Sequence, residues 1–285
     1  MKPVIVVHGG AGVRRADRPG KQQLAVLEQA LEAGYAEKSA LDAVIAAVMV
    51  LEDSPLFNAG RGSCFNADGE IEMDASIMDG ATLRAGAVAA VTRIRNPVVA
   101  ARAVMEKTRH VLLAGAGAER FAQVERLQLE DAEYFRTDAR LAALKKNLKD
   151  HHGTVGAVAL DTDGNLAAAT STGGYTGKMP GRVGDSPLVG AGTWADNRSC
   201  AVSGTGMGEA FIRAAVGYDV AARMRYLKQP LARAAAAALA QVKALGGDGG
   251  LIAVDRRGNV AMPFNSEGMY RAAIDRAGKK RTAIF

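Results

Sequence analysis

The residues of this chain that could do chemistry are small hydroxyl side chains set among glycines. Thr154 follows Gly153 at the start of an apolar run. Ser171-Thr172-Gly173-Gly174 closes the next such run, and Ser203-Gly204-Thr205-Gly206 stands just before a helical stretch. Between them, Pro180-Gly181-Arg182-Val183-Gly184-Asp185-Ser186-Pro187 sets an arginine and an aspartate three residues apart in a loop punctuated by glycine. Each feature also has an ordinary structural reading. A threonine opening a strand is a good β-former, S-x-T-G before a helix can be a cap, and Arg and Asp in a loop can pair at the surface. The residues alone leave open whether these pieces share one site.

What is missing narrows the chemistry. The histidines are His8, His110, His151 and His152, and none sits in a G-x-S-x-G or H-E-x-x-H setting. A Ser-His-Asp triad has no support. His151 and His152, adjacent in a polar segment, read as solvated rather than metal-binding. HGGAG at 8–12 follows a strand but lacks the G-x-G-x-x-G spacing, so a tight turn with close backbone approach is expected there. Two cysteines, Cys64 and Cys200, make neither a disulfide scaffold nor a four-ligand zinc site. The formal net charge of +6 invites a nucleic-acid partner, but the basic residues are scattered, with small clusters at 14–18, 145–149 and 279–281. Only 5% of residues are aromatic, too few for stacking platforms. No nucleic-acid partner is expected. No stretch of about 18 uninterrupted apolar residues suggests a membrane span, and the start lacks the apolar core of a signal peptide. A cytoplasmic location is therefore expected.

The elements that must position these residues can be read from periodicity. Residues 3–7 read as a buried strand and 21–37 and 40–52 as helices, the second opening with Ser39 and Asp42 at capping-box spacing. Strands are expected at 70–78 and 85–92, a helix at 97–107 behind Asn96-Pro97, and a short strand at 111–115 followed by a helix. Residues 128–153 are polar and weakly periodic and read as a mobile, partly helical segment, the one credible internal boundary. Two later stretches repeat a pattern: Gly156/Gly250, Ala159/Ala253, Asp161/Asp255, Gly164/Gly258, Asn165/Asn259 and Ala167/Ala261 coincide. These read as two similar hairpins in one antiparallel arrangement. Helices are expected between them near 206–227 and 230–245. Sheets covered by helices, an α+β layered sandwich, are expected.

The motifs GTVGAVALD, STGG, PGRVGDSPLVGAG, SGTGMGE and GGLIAVDRRGNVAMPFNSEGMYR resemble the plant-type asparaginases, or isoaspartyl peptidases, of the N-terminal nucleophile hydrolase superfamily. VVHGGAG, LEDSPLFNAGRGS, MDASIMDG and AGAVAAVTRIRNPVVAARAVME match the same family in order, so the resemblance covers nearly the whole chain outside about 125–153. It implies a four-layer αββα sandwich with antiparallel sheets. It implies Thr154 as nucleophile and autocleavage between Gly153 and Thr154, giving an α subunit 1–153 and a β subunit 154–285 that together form one domain. The freed α-amino group of Thr154 would serve as its own base. By the same resemblance Thr172 orients the nucleophile, and Thr205 with the N–H of Gly206 forms the oxyanion hole. Arg182 grips the substrate α-carboxylate, Asp185 pairs with the α-ammonium, Gly208 adds backbone contact, and Asn58 lies near the nucleophile. It also implies a structural sodium ion held by the carbonyls of Leu51, Glu52, Ser54, Phe57, Ala59 and Arg61, with no cofactor for the chemistry. The implied substrates are small molecules, L-asparagine and β-aspartyl dipeptides, and the implied assembly is a dimer of αβ units.

Three other readings compete. Glycosylasparaginase shares G-R-V-G-D-S, but Gly153 rather than an aspartate precedes the threonine here. A threonine endopeptidase of the same fold needs longer insertions. A non-catalytic metabolite-binding domain could use HGGAG and the basic surface. It would run as one band on a denaturing gel, where a self-cleaving hydrolase runs as two.

Overall fold

The computed structural model describes residues 2–15, 20–146 and 153–285. His151, His152 and Lys149, and with them the end of the polar segment, lie outside the described residues. In chain order the elements are β1 (Val4–Ala11), α1 (Lys21–Tyr35), α2 (Ala40–Asp53), β2 (Met73–Asp79), β3 (Ala85–Val91), α3 (Pro97–Lys107), β4 (Leu112–Ala114) and α4 (Gly115–Val124). Then follow α5 (Ala132–Phe135), α6 (Asp138–Lys145), β5 (Val155–Leu160), β6 (Leu166–Thr172), β7 (Thr193–Ala195), β8 (Cys200–Gly206), α7 (Gly208–Ala214) and α8 (Val216–Leu227). The chain ends with α9 (Leu231–Ala244), β9 (Gly249–Asp255), β10 (Val260–Ala261), β11 (Met269–Ile274) and β12 (Lys280–Ala283).

The strands form two sheets, one in the order β12-β11-β1-β5-β6-β2-β3-β4 and one in the order β10-β9-β8-β7. All pairings are antiparallel except that of β3 with β4, which is parallel. Apolar alternation on the strands explains the layering. Ile5, Val7, Met73, Ala75, Ile77, Val155 and Ala157 face α1, α2 and α3. Their neighbours Val4, Val6, Met78, Val158 and Leu160 face Ala201, Ile252 and Val254 of the smaller sheet. The opposite face of that sheet, through Val202, Leu251 and Ala253, packs on α7, α8 and α9. The result is helix, sheet, sheet, helix: the four-layer αββα sandwich.

Local chemistry accounts for the element ends. Ser39 caps α2, its Oγ accepting the Asp42 N–H at 3.1 Å and donating to the Asp42 carboxylate at 2.6 Å. Pro97 opens α3, where the missing N–H costs nothing. Gly86 of β3 lets α3 lie directly on the sheet, since a Cβ there would collide with the Ala101 carbonyl. The helix expected near 206–227 is broken in two at Ala215, which is left-handed at φ 46°. The break lets α8 dock its first N–H groups, those of Gly217 and Tyr218, on the carbonyls of Ala191 and Gly190, each at 2.9 Å.

The two similar hairpins lie in different sheets, a difference from the single arrangement expected. Their turns are nonetheless equivalent. Asp161 Oδ1 accepts the N–H groups of Asp163 and Asn165, and Asp255 Oδ1 accepts those of Arg257 and Asn259. Residues 128–146 carry α5 and α6. Phe135 is fully buried there, and Arg140 donates to the Gly62 carbonyl at 2.7 Å.

Candidate active site

Three chain segments converge where Gly153 meets Thr154. The first is HGGAG, which ends β1 after a bulge between His8 and Gly10. Gly10 has φ +108°, and a Cβ there would lie 2.8 Å from the Gly153 Cα, so the expected close backbone approach is realised against Gly153. The second is the loop after α2. Asn58 donates its backbone N–H to the Gly153 carbonyl at 3.2 Å. Its side chain is clamped, Oδ1 accepting the Cys64 N–H at 2.8 Å and Nδ2 donating to the Gly174 carbonyl at 2.6 Å. The third is the turn after β6. Thr172 sits on the strand paired with β5, and Thr154 Oγ1 donates to Thr172 Oγ1 at 3.1 Å. The Gly174 N–H also donates to Thr172 Oγ1, at 3.0 Å. Thr154 is 7% exposed, so it is largely sheltered from water.

Thr205 and Gly206 come from the second sheet. Thr205 is fully buried and its Oγ1 accepts the Ala11 N–H at 3.2 Å, tying the end of β8 to the end of HGGAG. Gly206 is extended-to-left-handed at φ +149°, opposite Gly249 in the register.

Arg182 and Asp185 occupy the loop before β7. The carboxylate of Asp185 lies among glycines: a Cβ at Gly192 would come within 2.8 Å of its Oδ2, and one at Gly208 within 2.9 Å of its Oδ1. Its Oδ2 is buried without a partner. Burial pushes the Asp185 carboxyl up to about 6, against the pull of the Arg182 guanidinium. The Arg182 fork is held by Glu209 through Nε at 2.9 Å and Nη2 at 3.0 Å, and it stacks over the Tyr175 ring at 4.7 Å. Bidentate pairing of this kind fixes the plane of the guanidinium. Arg182, Asp185 and Gly208 therefore lie side by side.

Several residues here escaped the sequence reading. Glu209 stands inside the SGTGMGE motif, but nothing in its spacing marks it as the partner of Arg182. His8 is fully buried between the sheets, its Nε2 2.9 Å from Ser203 Oγ and its ring beside the Thr154 backbone. Desolvation lowers its pKa to about 3, so the ring is neutral. Asp74 and Lys178 are both fully buried, and Lys178 Nζ donates to the Glu72 carbonyl at 2.8 Å.

The loop Leu51–Arg61 turns back on its own carbonyls. A Cβ on Gly60 would collide with the Glu52 carbonyl, and one on Gly62 with the Phe57 carbonyl. Glu52 is buried, with Oε1 accepting the Val98 N–H at 3.0 Å. Desolvation first of all pushes its carboxyl up to about 8. The Leu51 and Ala59 carbonyls of this loop accept the N–H groups of Ser54 and Gly62 at 3.4 and 3.1 Å.

An asparaginase family model matches residues 1–284. The chain belongs to the asparaginase family. The isoaspartyl peptidase of Escherichia coli (strain K12) is 53% identical over 299 residues, covering 95% of this chain and 92% of that protein. The isoaspartyl peptidase/L-asparaginase of Danio rerio is 46% identical, covering 100% of this chain and 96% of that protein. That of Rattus norvegicus is 45% identical, with 99% and 88% covered. Within this asparaginase-family chain, no helix among the described residues is long and apolar enough to cross a membrane.

Proposed function

We propose that this chain hydrolyses β-aspartyl amides, isoaspartyl dipeptides and L-asparagine among them, after cutting its own Gly153–Thr154 bond. The observation that carries the reading is the Thr154 hydroxyl, 3.1 Å from Thr172, next to a Gly153 carbonyl held by the Asn58 N–H at 3.2 Å. In maturation Thr154 Oγ attacks the Gly153 carbonyl carbon, and the Asn58 N–H donates to the oxyanion that forms. The C–N bond breaks, the Gly153 acyl group passes to Oγ as an ester, and water hydrolyses it. The α-amino group of Thr154 is now free.

In turnover that amine takes the Oγ proton as Oγ attacks the β-carbonyl of the substrate. Thr205 Oγ and the Gly206 N–H donate to the oxyanion. The leaving amine departs with the proton from the Thr154 ammonium, and water cleaves the aspartyl ester. Arg182 and Asp185 bind the α-carboxylate and α-ammonium, so that the β-carbonyl is the one presented to Thr154. Gly208, without a side chain, leaves room beside both charges, and Asn58 holds the nucleophile's turn. The carbonyls of Leu51, Glu52, Ser54, Phe57, Ala59 and Arg61 would hold a sodium ion that stiffens the Asn58 loop and takes no part in bond breaking. The working assembly is a dimer of αβ units, and the setting is cytoplasmic.

The test is a denaturing gel, N-terminal sequencing and three substrates. Two bands of similar size, the smaller chain beginning Thr-Val-Gly-Ala-Val, and release of aspartate from β-Asp-Leu and asparagine are expected. A single full-length band in active protein, or equal turnover of α-Asp-Leu, would defeat the reading.

A further inference from the structure

Maturation needs a base before the α-amino group of Thr154 exists, and Asp74 is placed to provide one. Asp74 on β2 stands directly opposite Thr172 on β6. Val155 opposite Ser171 sets Thr154 beside Thr172 in turn. Side chains alternate between the faces of a strand. Met73, Ala75 and Ile77 point to the helices, so Asp74 shares the inter-sheet face with Thr172 and Thr154. Directly opposed side chains sit about 4.5–5.5 Å apart at Cβ. Thr154, Thr172 and Asp74 thus form one row across three neighbouring strands.

Hydrogen-bond accounting gives the row a direction. Thr172 Oγ1 accepts from Thr154 Oγ1 at 3.1 Å and from the Gly174 N–H at 3.0 Å. A hydroxyl has two acceptor sites and one proton, so what remains to Thr172 is a proton to donate. Asp74 Oδ1 accepts the Ala90 N–H at 2.8 Å. Its Oδ2 is buried with no partner, a costly state for a carboxylate oxygen. Asp74, with a carboxylate oxygen to fill, and Thr172, with a hydroxyl proton to give, are paired across one strand register. A rotation of the Thr172 side chain, or one bridging water, joins them. Burial holds the Asp74 carboxyl above the usual range, against the nearby Lys178 ammonium, which suits a base better than an ordinary aspartate.

We propose that Asp74 accepts, through Thr172, the proton that the Thr154 hydroxyl gives up during self-cleavage. The step balances. The Thr154 proton moves to Thr172 and the Thr172 proton to Asp74 Oδ2 as the Thr154 Oγ–Gly153 carbon bond forms. When the Gly153–Thr154 C–N bond breaks, a proton returns along the row to the departing nitrogen. After that the free α-amine serves as base and Asp74 is no longer needed for turnover. The inference rests on the reading of Thr154 as a self-cleaving nucleophile.

Asp74→Asn separates the possibilities. The amide oxygen keeps the bond from the Ala90 N–H, so the fold is retained and the amide NH2 takes the place of Oδ2. The expected result is self-cleavage slowed about 100-fold or more, followed on gels from freshly expressed protein. Activity on β-Asp-Leu per cut chain should stay within about threefold of wild type, and Asp74→Glu should recover part of the cleavage rate. Cleavage of Asp74→Asn at the wild-type rate overturns the proposal. So does an equal loss of cleavage and of activity per cut chain, since that marks a purely structural residue. Should Asp74→Asn not fold, Thr172→Val supplies the second measurement. It breaks the row without touching Asp74 and should slow cleavage comparably, and normal cleavage in that variant overturns the relay. Wild-type protein that never exposes Thr154 as a terminus defeats instead the underlying reading.

Discussion

The backbone N–H of Asn58 points at the carbonyl of Gly153, 3.2 Å away, on the bond proposed to be cut. Both ends of this contact are fixed by crowding. Gly153 can carry no side chain, because a Cβ there would collide with the Asn58 Cβ. Gly153→Ala should therefore push the carbonyl off its donor and slow maturation about 100-fold or more, the worth of one lost oxyanion donor. Mass spectrometry of fresh protein over time reads the uncut fraction. Thr154→Ala should stay uncut indefinitely, since it has no oxygen to attack with.

Arg182→Lys keeps the charge and loses the planar fork. KM for every β-aspartyl substrate should rise about tenfold, or about 1.4 kcal/mol, with self-cleavage untouched because maturation involves no free zwitterion. Glu209→Ala should raise KM in the same direction by a smaller factor, as the guanidinium loses the carboxylate that orients it at 2.9 and 3.0 Å. Steady-state kinetics on β-Asp-Leu compare the two.

Asp185 sets an acid limb. Its carboxyl is raised to about 6 by burial and must be ionised to pair with an α-ammonium. Therefore kcat/KM should fall as pH drops below about 6. The sign for stability is opposite. A folded-state pKa above the unfolded value of 3.8 means that the native state holds more protons between the two. Stability is then highest below that window and falls, by up to about 3 kcal/mol, as pH rises through it. Asp185→Asn should flatten that part of the stability profile and raise KM at every pH. Urea unfolding at pH 4, 5 and 7 tests the first, kinetics the second.

The carbonyl loop makes a prediction for sodium. Binding to the native state alone raises apparent stability by mass action. Tm should rise with sodium chloride more than with choline chloride at equal ionic strength. Gly60→Ala should cost about 2–4 kcal/mol, because Gly60 is left-handed at φ +50° and its new Cβ meets backbone rather than a side chain that can move. The same variant should lose the sodium response.

Much of this was legible in the chain itself. Ser39 with Asp42, Asn96-Pro97, and the repeated Asp turns at Asp161 and Asp255 each carry a local rule that the structure obeys. What was hidden depends on partners distant in sequence. Ala215 takes a left-handed conformation without the glycine that advertises one, because α8 docks on the carbonyls of Gly190 and Ala191. The parallel pairing of β4 with β3 has no signature in a three-residue strand. At the site, motif positions placed Thr154, Thr172, Arg182 and Asp185 in order. Glu209 on Arg182, Asp74 opposite Thr172 and the neutral His8 against Ser203 emerge only from packing. His8 stands in no catalytic histidine motif of the sequence. Its complete burial makes its replacement a core substitution, and any loss of activity there reads as packing until a melting curve says otherwise.

The strand order of the larger sheet reaches beyond the site. Strands from before and after residue 153 alternate: β12 and β11, then β1, then β5 and β6, then β2, β3 and β4. A cut at Gly153–Thr154 leaves two polypeptides woven through one another, each supplying interior strands the other must pair with. Neither can leave without unzipping the middle of the sheet, so the nick creates a new chain end and no new molecule. Dilution, which separates ordinary subunits, should fail to separate these. For this protein, losing its partner fragment and unfolding are the same event.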